Sequence, residues 1–160
     1  MSDKMEVSAR DIFPYIKETL DSGLKVKFVV SGTSMLPWIR DNLDLVVVSR
    51  ARSEDLKLGD IVLYCDDSDN YILHRICKVK HNGYYTLGDS CTCYDGLVHN
   101  SRIIGIVEEI IRGSLIIDCR SVFWRFIFLL WRLLLPVRKP LLKLYYNAIR
   151  VKKYLIKERV

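Results

Sequence analysis

Seven short runs rich in β-branched and aromatic residues occupy the chain between Leu24 and Ile117, and they restrict the fold more than any other feature. They read LKVKFVV, LDLVVVS, GDIVLYC, YILHRICKV, YYTL, RIIGIVEEII and SLIID. Such residues suit a pleated, half-buried surface. The connecting segments, RDN, RARSEDLKLGD, CDDSDN, KHNG and GDSCTCYDG, are polar and turn-forming. No helical period interrupts residues 24–117. The reading is a mainly β body, 24–119, flanked by two segments of a different kind.

The first flank, residues 1–23, places Ile12, Ile16 and Leu20 at i, i+4 and i+8 within ARDIFPYIKETLDSG. That spacing predicts an amphipathic helix over residues 8–22, with Pro14 in its first turn and Gly23 closing it. The second flank, residues 120–160, begins with SVFWRFIFLLWRLLLP over residues 121–136. Its apolar run is shorter than the roughly 20 residues a membrane-spanning helix needs, and Arg125 and Arg132 lie a heptad apart within it. Beyond Pro140, Lys143, Asn147, Arg150 and Lys157 form one helical stripe, with Leu141, Leu144, Tyr145, Ala148, Val151 and Leu155 away from it. A basic stripe opposite aromatic and aliphatic residues describes a helix lying in a membrane interface. Residues 121–157 are therefore expected to meet a lipid surface, and packing on the body or on a partner chain is the alternative.

Charge follows the same division. The chain carries a net +6 over 160 residues. Residues 120–160 hold eleven Lys/Arg against one acid, Glu158, leaving a mildly acidic body. Positive residues beside apolar segments favour the cytoplasmic face. The five cysteines, 65, 77, 91, 93 and 119, are an odd number, and MSDKMEVSAR lacks the apolar stretch of a secretory leader, so reduced thiols are expected. Cys91 and Cys93, with His81 and His99, are too loosely spaced for a metal site, and no cofactor is expected.

Two positions suggest chemistry. Ser34 lies in SGTSMLPWI, where the first strand run stops, and a serine hydroxyl there needs a base about 3 Å away to become a nucleophile. Three histidines are available. His81 and His99 read as loop residues in KHNG and VHNS. His74 lies mid-strand in YILHRICKV, sharing a face with Ile72 and Ile76, while Leu73 and Arg75 point the other way. By itself that pattern also suits a core histidine bonded to a backbone carbonyl.

The order of segments adds to this. V-S-G-T-S-M-L-P is followed by L-D-L-V-V-V, L-G-D-I-V-L-Y, I-L-H-R-I, T-L-G-D-S with an aspartate six residues after Asp89, and R-I-I-G-I-V. The series, over roughly residues 24–112, resembles the signal peptidase I family and, more broadly, the peptidases that share its fold with the self-cleaving repressors. The histidine in I-L-H-R-I is similar to that of the endoplasmic-reticulum, archaeal and sporulation-type members, where most bacterial members carry lysine. The resemblance implies a signal-peptidase-like β fold and a serine endopeptidase that cuts a leader or signal-type peptide after small residues. It implies Ser34 as nucleophile, His74 as general base and Asp95 as the carboxylate orienting it, with Asp89 as fallback. It also implies Met35 beside the substrate pocket. Some relatives add a serine hydroxyl two residues before the nucleophile. Gly32 stands there in this chain, which leaves the Ser34 N–H, with Ser31 or Thr33 as substitute oxyanion donors. Relatives usually carry an N-terminal membrane anchor, whereas the candidate anchor here is at the other end.

Two other readings compete. One is a peptidase fold kept as a non-catalytic interaction or anchoring module, suggested by Gly32 and the misplaced anchor. The other is a nucleic-acid-binding regulator, suggested by the basic tail. Residues 1–23 are too short for a helix-turn-helix and the tail is too rich in Phe, Leu and Trp, so no nucleic acid is expected.

Overall fold

The computed structural model describes residues 9–138, 140–145 and 147. The protein is mainly β, an eight-stranded antiparallel sheet with short helices at its two ends. The strands are β1 (Val26–Val29), β2 (Leu45–Arg50), β3 (Ile61–Cys65), β4 (Tyr71–Lys80), β5 (Gly83–Leu87), β6 (Leu97–His99), β7 (Ile103–Arg112) and β8 (Leu115–Asp118). Their order across the sheet is β1-β2-β7-β3-β4-β5-β6, with β8 also paired to β7. The long β7 holds β2 along one side and β3, then β8, along the other. The seven runs seen in the sequence each form a strand. The eighth, β6, was hidden in a short polar region, and His99 ends it instead of lying in a loop, though its side chain is exposed as a loop histidine's would be.

Alternation along the strands sorts side chains into two cores. Ile61 and Leu63 of β3 join Leu73, Val107 and Ile110 in the larger one, which α1 (Ala9–Asp21) and α2 (Val122–Leu133) close with Ile16, Leu20 and Phe128. Val62 and Tyr64, the intervening residues, join Ile76, Tyr84, Val98 and Ile106 on the opposite face. Both faces of β3 are thus buried, as expected for a central strand.

The described part of α1 runs from Ala9, so at least five helical residues precede Pro14, which lies beyond the first turn in which the sequence had placed it. Of the predicted stripe, Ile16 and Leu20 are buried while Ile12 stays exposed at the rim of a cavity. Gly23 closes the helix as expected, donating to the Leu20 carbonyl.

Helix α2 begins at Ser121, whose hydroxyl caps the Trp124 N–H, and has two unlike faces. Trp124, Phe128 and Trp131 turn inward and surround the Trp38 indole edge-on. Val122, Phe126, Leu129 and Leu133, at i, i+4, i+7 and i+11, face outward and are exposed. Further on, Leu141, Lys143, Leu144 and Asn147 are exposed and Leu142 is buried. Ala148, Arg150, Val151, Leu155 and Lys157 lie outside the described residues. No helix among the described residues is long and apolar enough to cross a membrane.

Candidate active site

Ser34 sits just past β1 in a chain of tight turns. Leu36 N–H bonds to Thr33 O, and Trp38 and Ile39 N–H both bond to Met35 O. Met35 and Ile39 are buried in the larger core, which pins this turn from below. Gly32, two residues ahead, has φ +107° and donates its N–H to Asp41 Oδ1. A serine would be strained in that backbone conformation. A side-chain hydroxyl donor at this position is thus disfavoured by the local turn.

His74 comes from the middle of β4, opposite Val62 of β3. Its Nδ1 is 2.7 Å from Asp95 Oδ2. Asp95 lies in the connection from β5 to β6 and is fixed there by its own N–H, which bonds to Thr86 O. The same oxygen, Oδ2, accepts from Thr86 Oγ1 at 2.6 Å and from Tyr64 Oη at 3.0 Å. Burial alone would raise the Asp95 pKa, but the hydrogen bonds from His74, Thr86 and Tyr64 outweigh it and hold the carboxyl below its usual range. An ionised carboxylate on Nδ1 selects the tautomer with hydrogen on Nδ1, leaving Nε2 as the basic nitrogen.

Sequence reasoning missed Tyr64 and Thr86. A signal was present for Tyr64, the one hydroxyl in the apolar run IVLYC, whereas Thr86 follows two tyrosines in YYTL and does not stand out. Thr86 is wholly buried, a position at which a hydroxyl needs a partner. Burial and the neighbouring Asp95 carboxylate push the Tyr64 phenol well above its ordinary pKa, so it stays a donor.

The turn Gly88–Cys91 joins the two halves of the site. Ser90 N–H donates to Ser34 O at 2.8 Å, and Ser90 Oγ donates to Thr33 O. Gly88 passes so close that a Cβ built on it would lie 2.7 Å from Ser34 O, 2.8 Å from Cys91 Sγ and 2.9 Å from His74 Nε2. Ser34 O and His74 Nε2 therefore lie no more than 5.6 Å apart, the sum of their distances to that point. Ser34 Oγ makes no hydrogen bond among the described residues, and neither does the Ser34 N–H. Ser31, Ser34, Met35 and His74 all line one cavity of about 900 Å³. Thr33 is exposed outside it, with its carbonyl engaged by Ser90.

Asp89 is held elsewhere. Arg75, the residue after His74, faces the other side of β4 and clasps the Asp89 carboxylate with Nε at 2.9 Å and Nη2 at 2.6 Å. Both side chains are 2% exposed. Two adjacent β4 residues thus take two aspartates six positions apart, His74 taking Asp95 and Arg75 taking Asp89. The fallback role for Asp89 has no geometric support.

Helix α2 and the segment just after it hold this same turn. Trp131 Nε1–H donates to Asp89 O, the buried Arg138 donates to Cys91 O at 3.1 Å, and the Arg75 guanidinium stacks over the Phe128 ring. Cys91, beside His74, has its thiol pushed up by burial and is not a ready nucleophile. Among the described residues no group of three His, Cys, Asp or Glu side chains converges closely enough to hold a metal ion.

No family model matches the chain, and no curated protein matches it closely enough to count as a relative. The functional reading therefore rests on the residues.

Proposed function

We propose that the protein is a serine endopeptidase with a signal-peptidase-like fold, in which Ser34 attacks, His74 moves the proton and Asp95 holds the imidazole. The observation that carries this reading is the 2.7 Å contact between His74 Nδ1 and Asp95, on a histidine that lines the same cavity as Ser34. In this reading Nε2 takes the Ser34 proton as Oγ attacks the scissile carbonyl. The imidazolium then protonates the leaving amine, and water repeats the sequence to release the acyl group. The Ser34 N–H, without a partner among the described residues, is the donor for the oxyanion. Peptides cut after small residues are the first substrates to try.

Ser34→Ala and His74→Ala should each abolish cleavage of an Ala-x-Ala peptide with the fold retained, and a fluorophosphonate should label wild type alone. Full cleavage by Ser34→Ala would overturn the proposal. The lack of a Ser34 Oγ–His74 hydrogen bond among the described residues favours a second reading, a non-catalytic module of the same fold. An unlabelled Ser34 would select it, although such bonds in unliganded enzymes often tighten only with substrate bound.

The outward apolar row of α2, flanked by Arg125 and Arg132, supports a further part of the proposal: the protein works at an anionic membrane surface, on the cytoplasmic side. Phe126→Ser with Leu129→Ser should reduce sedimentation with phosphatidylserine vesicles at least tenfold. Unchanged sedimentation would remove the lipid surface from the proposal.

A further inference from the structure

The cavity holding Ser34 and His74 does not stop at those residues. It continues between α1 and the facing ends of β1 and β4 to reach about 900 Å³. A space of that size is on the order of 10 Å across, about three residues of extended chain. Accommodating an alanine methyl requires a small fraction of it.

The walls have a definite chemistry. Phe13 of α1 stacks on Tyr71 of β4, with ring centroids 4.1 Å apart and planes at 8°. Phe28 of β1 meets Phe13 edge-on, with centroids 6.0 Å apart. These three rings are only partly buried, so the cavity exposes aromatic surface. Beneath them Ile16, Met35 and Leu63 are buried. At the rim Ile12 and Val29 are 40% and 49% exposed, an unusual amount of open aliphatic surface beside a polar site. Among the described residues the lining contains no Asp, Glu, Lys or Arg, and His74 is its one titratable group apart from the Tyr71 phenol.

We infer that this aromatic cleft is a specificity site for a bulky apolar side chain of the substrate, Leu, Phe or Trp, within three residues of the cut. The inference rests on the peptidase reading and names the substrate class of that site. Helix α1 supplies the outer wall, so selectivity is built by the segment ahead of the sheet. A side chain entering the cleft covers the exposed rim and stacks against Phe13 and Tyr71. A charged side chain entering there would lose its water and find no opposite charge among the described lining residues.

The test uses the full chain and a panel of peptides sharing one Ala-x-Ala cut. A single Leu, Phe, Trp, Ala, Asp or Lys is placed in turn at x and at each of the three positions after the cut. At one position Leu, Phe and Trp should raise kcat/KM by about 10- to 100-fold over Ala, with Asp and Lys falling below Ala. Phe13→Ala should bring that ratio close to one. Ile12→Glu, at the exposed rim, should do so too if Phe13→Ala folds poorly. Binding of the same fluorescent peptides to Ser34→Ala, followed by anisotropy, gives a second readout without catalysis. Equal kcat/KM across the panel would overturn the inference and leave the peptidase reading standing. Selective binding of bulky peptides to Ser34→Ala, with no cleavage by wild type, would support the cleft and overturn the peptidase reading.

Discussion

His74 Nδ1 lies 2.7 Å from Asp95 Oδ2, an oxygen that two further hydroxyl donors, from Thr86 and Tyr64, also hold in place. The carboxylate is over-determined, and the imidazole is oriented through it. Asp95→Asn preserves the shape but turns an amide N–H toward Nδ1, forcing the proton onto Nε2. For the proposed peptidase activity, a kcat loss of about 10³- to 10⁴-fold is expected, with little change in KM. A kcat within tenfold of wild type would show that Asp95 does not orient the base.

Gly88 supplies a stricter geometric test. Its missing side chain leaves room for Ser34 O, Cys91 Sγ and His74 Nε2, all within 3 Å of where a Cβ would stand. Gly88→Ala must shift at least one of them. Displacements near 1 Å cost about a hundredfold in rate, so kcat/KM should fall by roughly that factor. Wild-type rates in Gly88→Ala would mean that the turn does not set the spacing of base and nucleophile.

The Arg75–Asp89 pair behaves differently from His74–Asp95. It is enclosed beneath Phe128, and Arg75 also donates to Gly59 O. Arg75→Met leaves the Asp89 charge buried without its partner and should cost about 3–5 kcal/mol. Removing both charges with Arg75→Met and Asp89→Leu should recover at least half of that loss. Denaturant titration of the single and double variants measures the recovery, and additive losses would count against a charge-pair explanation.

Trp131 and Arg138 link α2 to the same turn. Trp131→Phe keeps the packing against Trp38 but removes the donor to Asp89 O. A loss of about 1–3 kcal/mol follows, read as a fall of several degrees in Tm. An unchanged Tm would show that this bond is not needed to hold the turn.

Acid sensitivity should centre on Asp44. The residue is fully buried and receives Arg40 Nη2 and Arg112 Nη2, each at 2.8 Å. Burial would raise its pKa, but the hydrogen bonds from Arg40 and Arg112 prevail and hold the carboxyl below its ordinary range. A depressed folded pKa stabilises the fold above the unfolded value, about 4, and that contribution is lost as pH falls through the folded value. Asp44→Asn should therefore cost about 3 kcal/mol at pH 7. The gap in Tm between variant and wild type should narrow below about pH 4. A gap independent of pH would rule out ionisation as the source.

The parts of this protein legible in the sequence are those set by local periodicity. Alternation over two residues marked seven of eight strands, and it placed His74 and Arg75 on opposite faces of β4. The three-residue β6 was too short to show a period, and Pro14 lies deeper in α1 than the first turn because one proline is weak evidence for where a helix begins. Ser34, His74 and Asp95 were nominated by spacing and resemblance. The His74–Asp95 contact and the approach of the Ser34 turn to His74 were decided by the tertiary structure, because antiparallel pairing brings β3, β4 and β5 side by side and the Gly88 turn bonds to the Ser34 turn. The same holds for Tyr64 and Thr86, which act through register across strands, and for the division of Asp95 and Asp89 between two neighbours. The aromatic cleft is also a tertiary product: Phe13, Phe28 and Tyr71 are far apart along the chain, and only packing of α1 on the sheet makes them one surface.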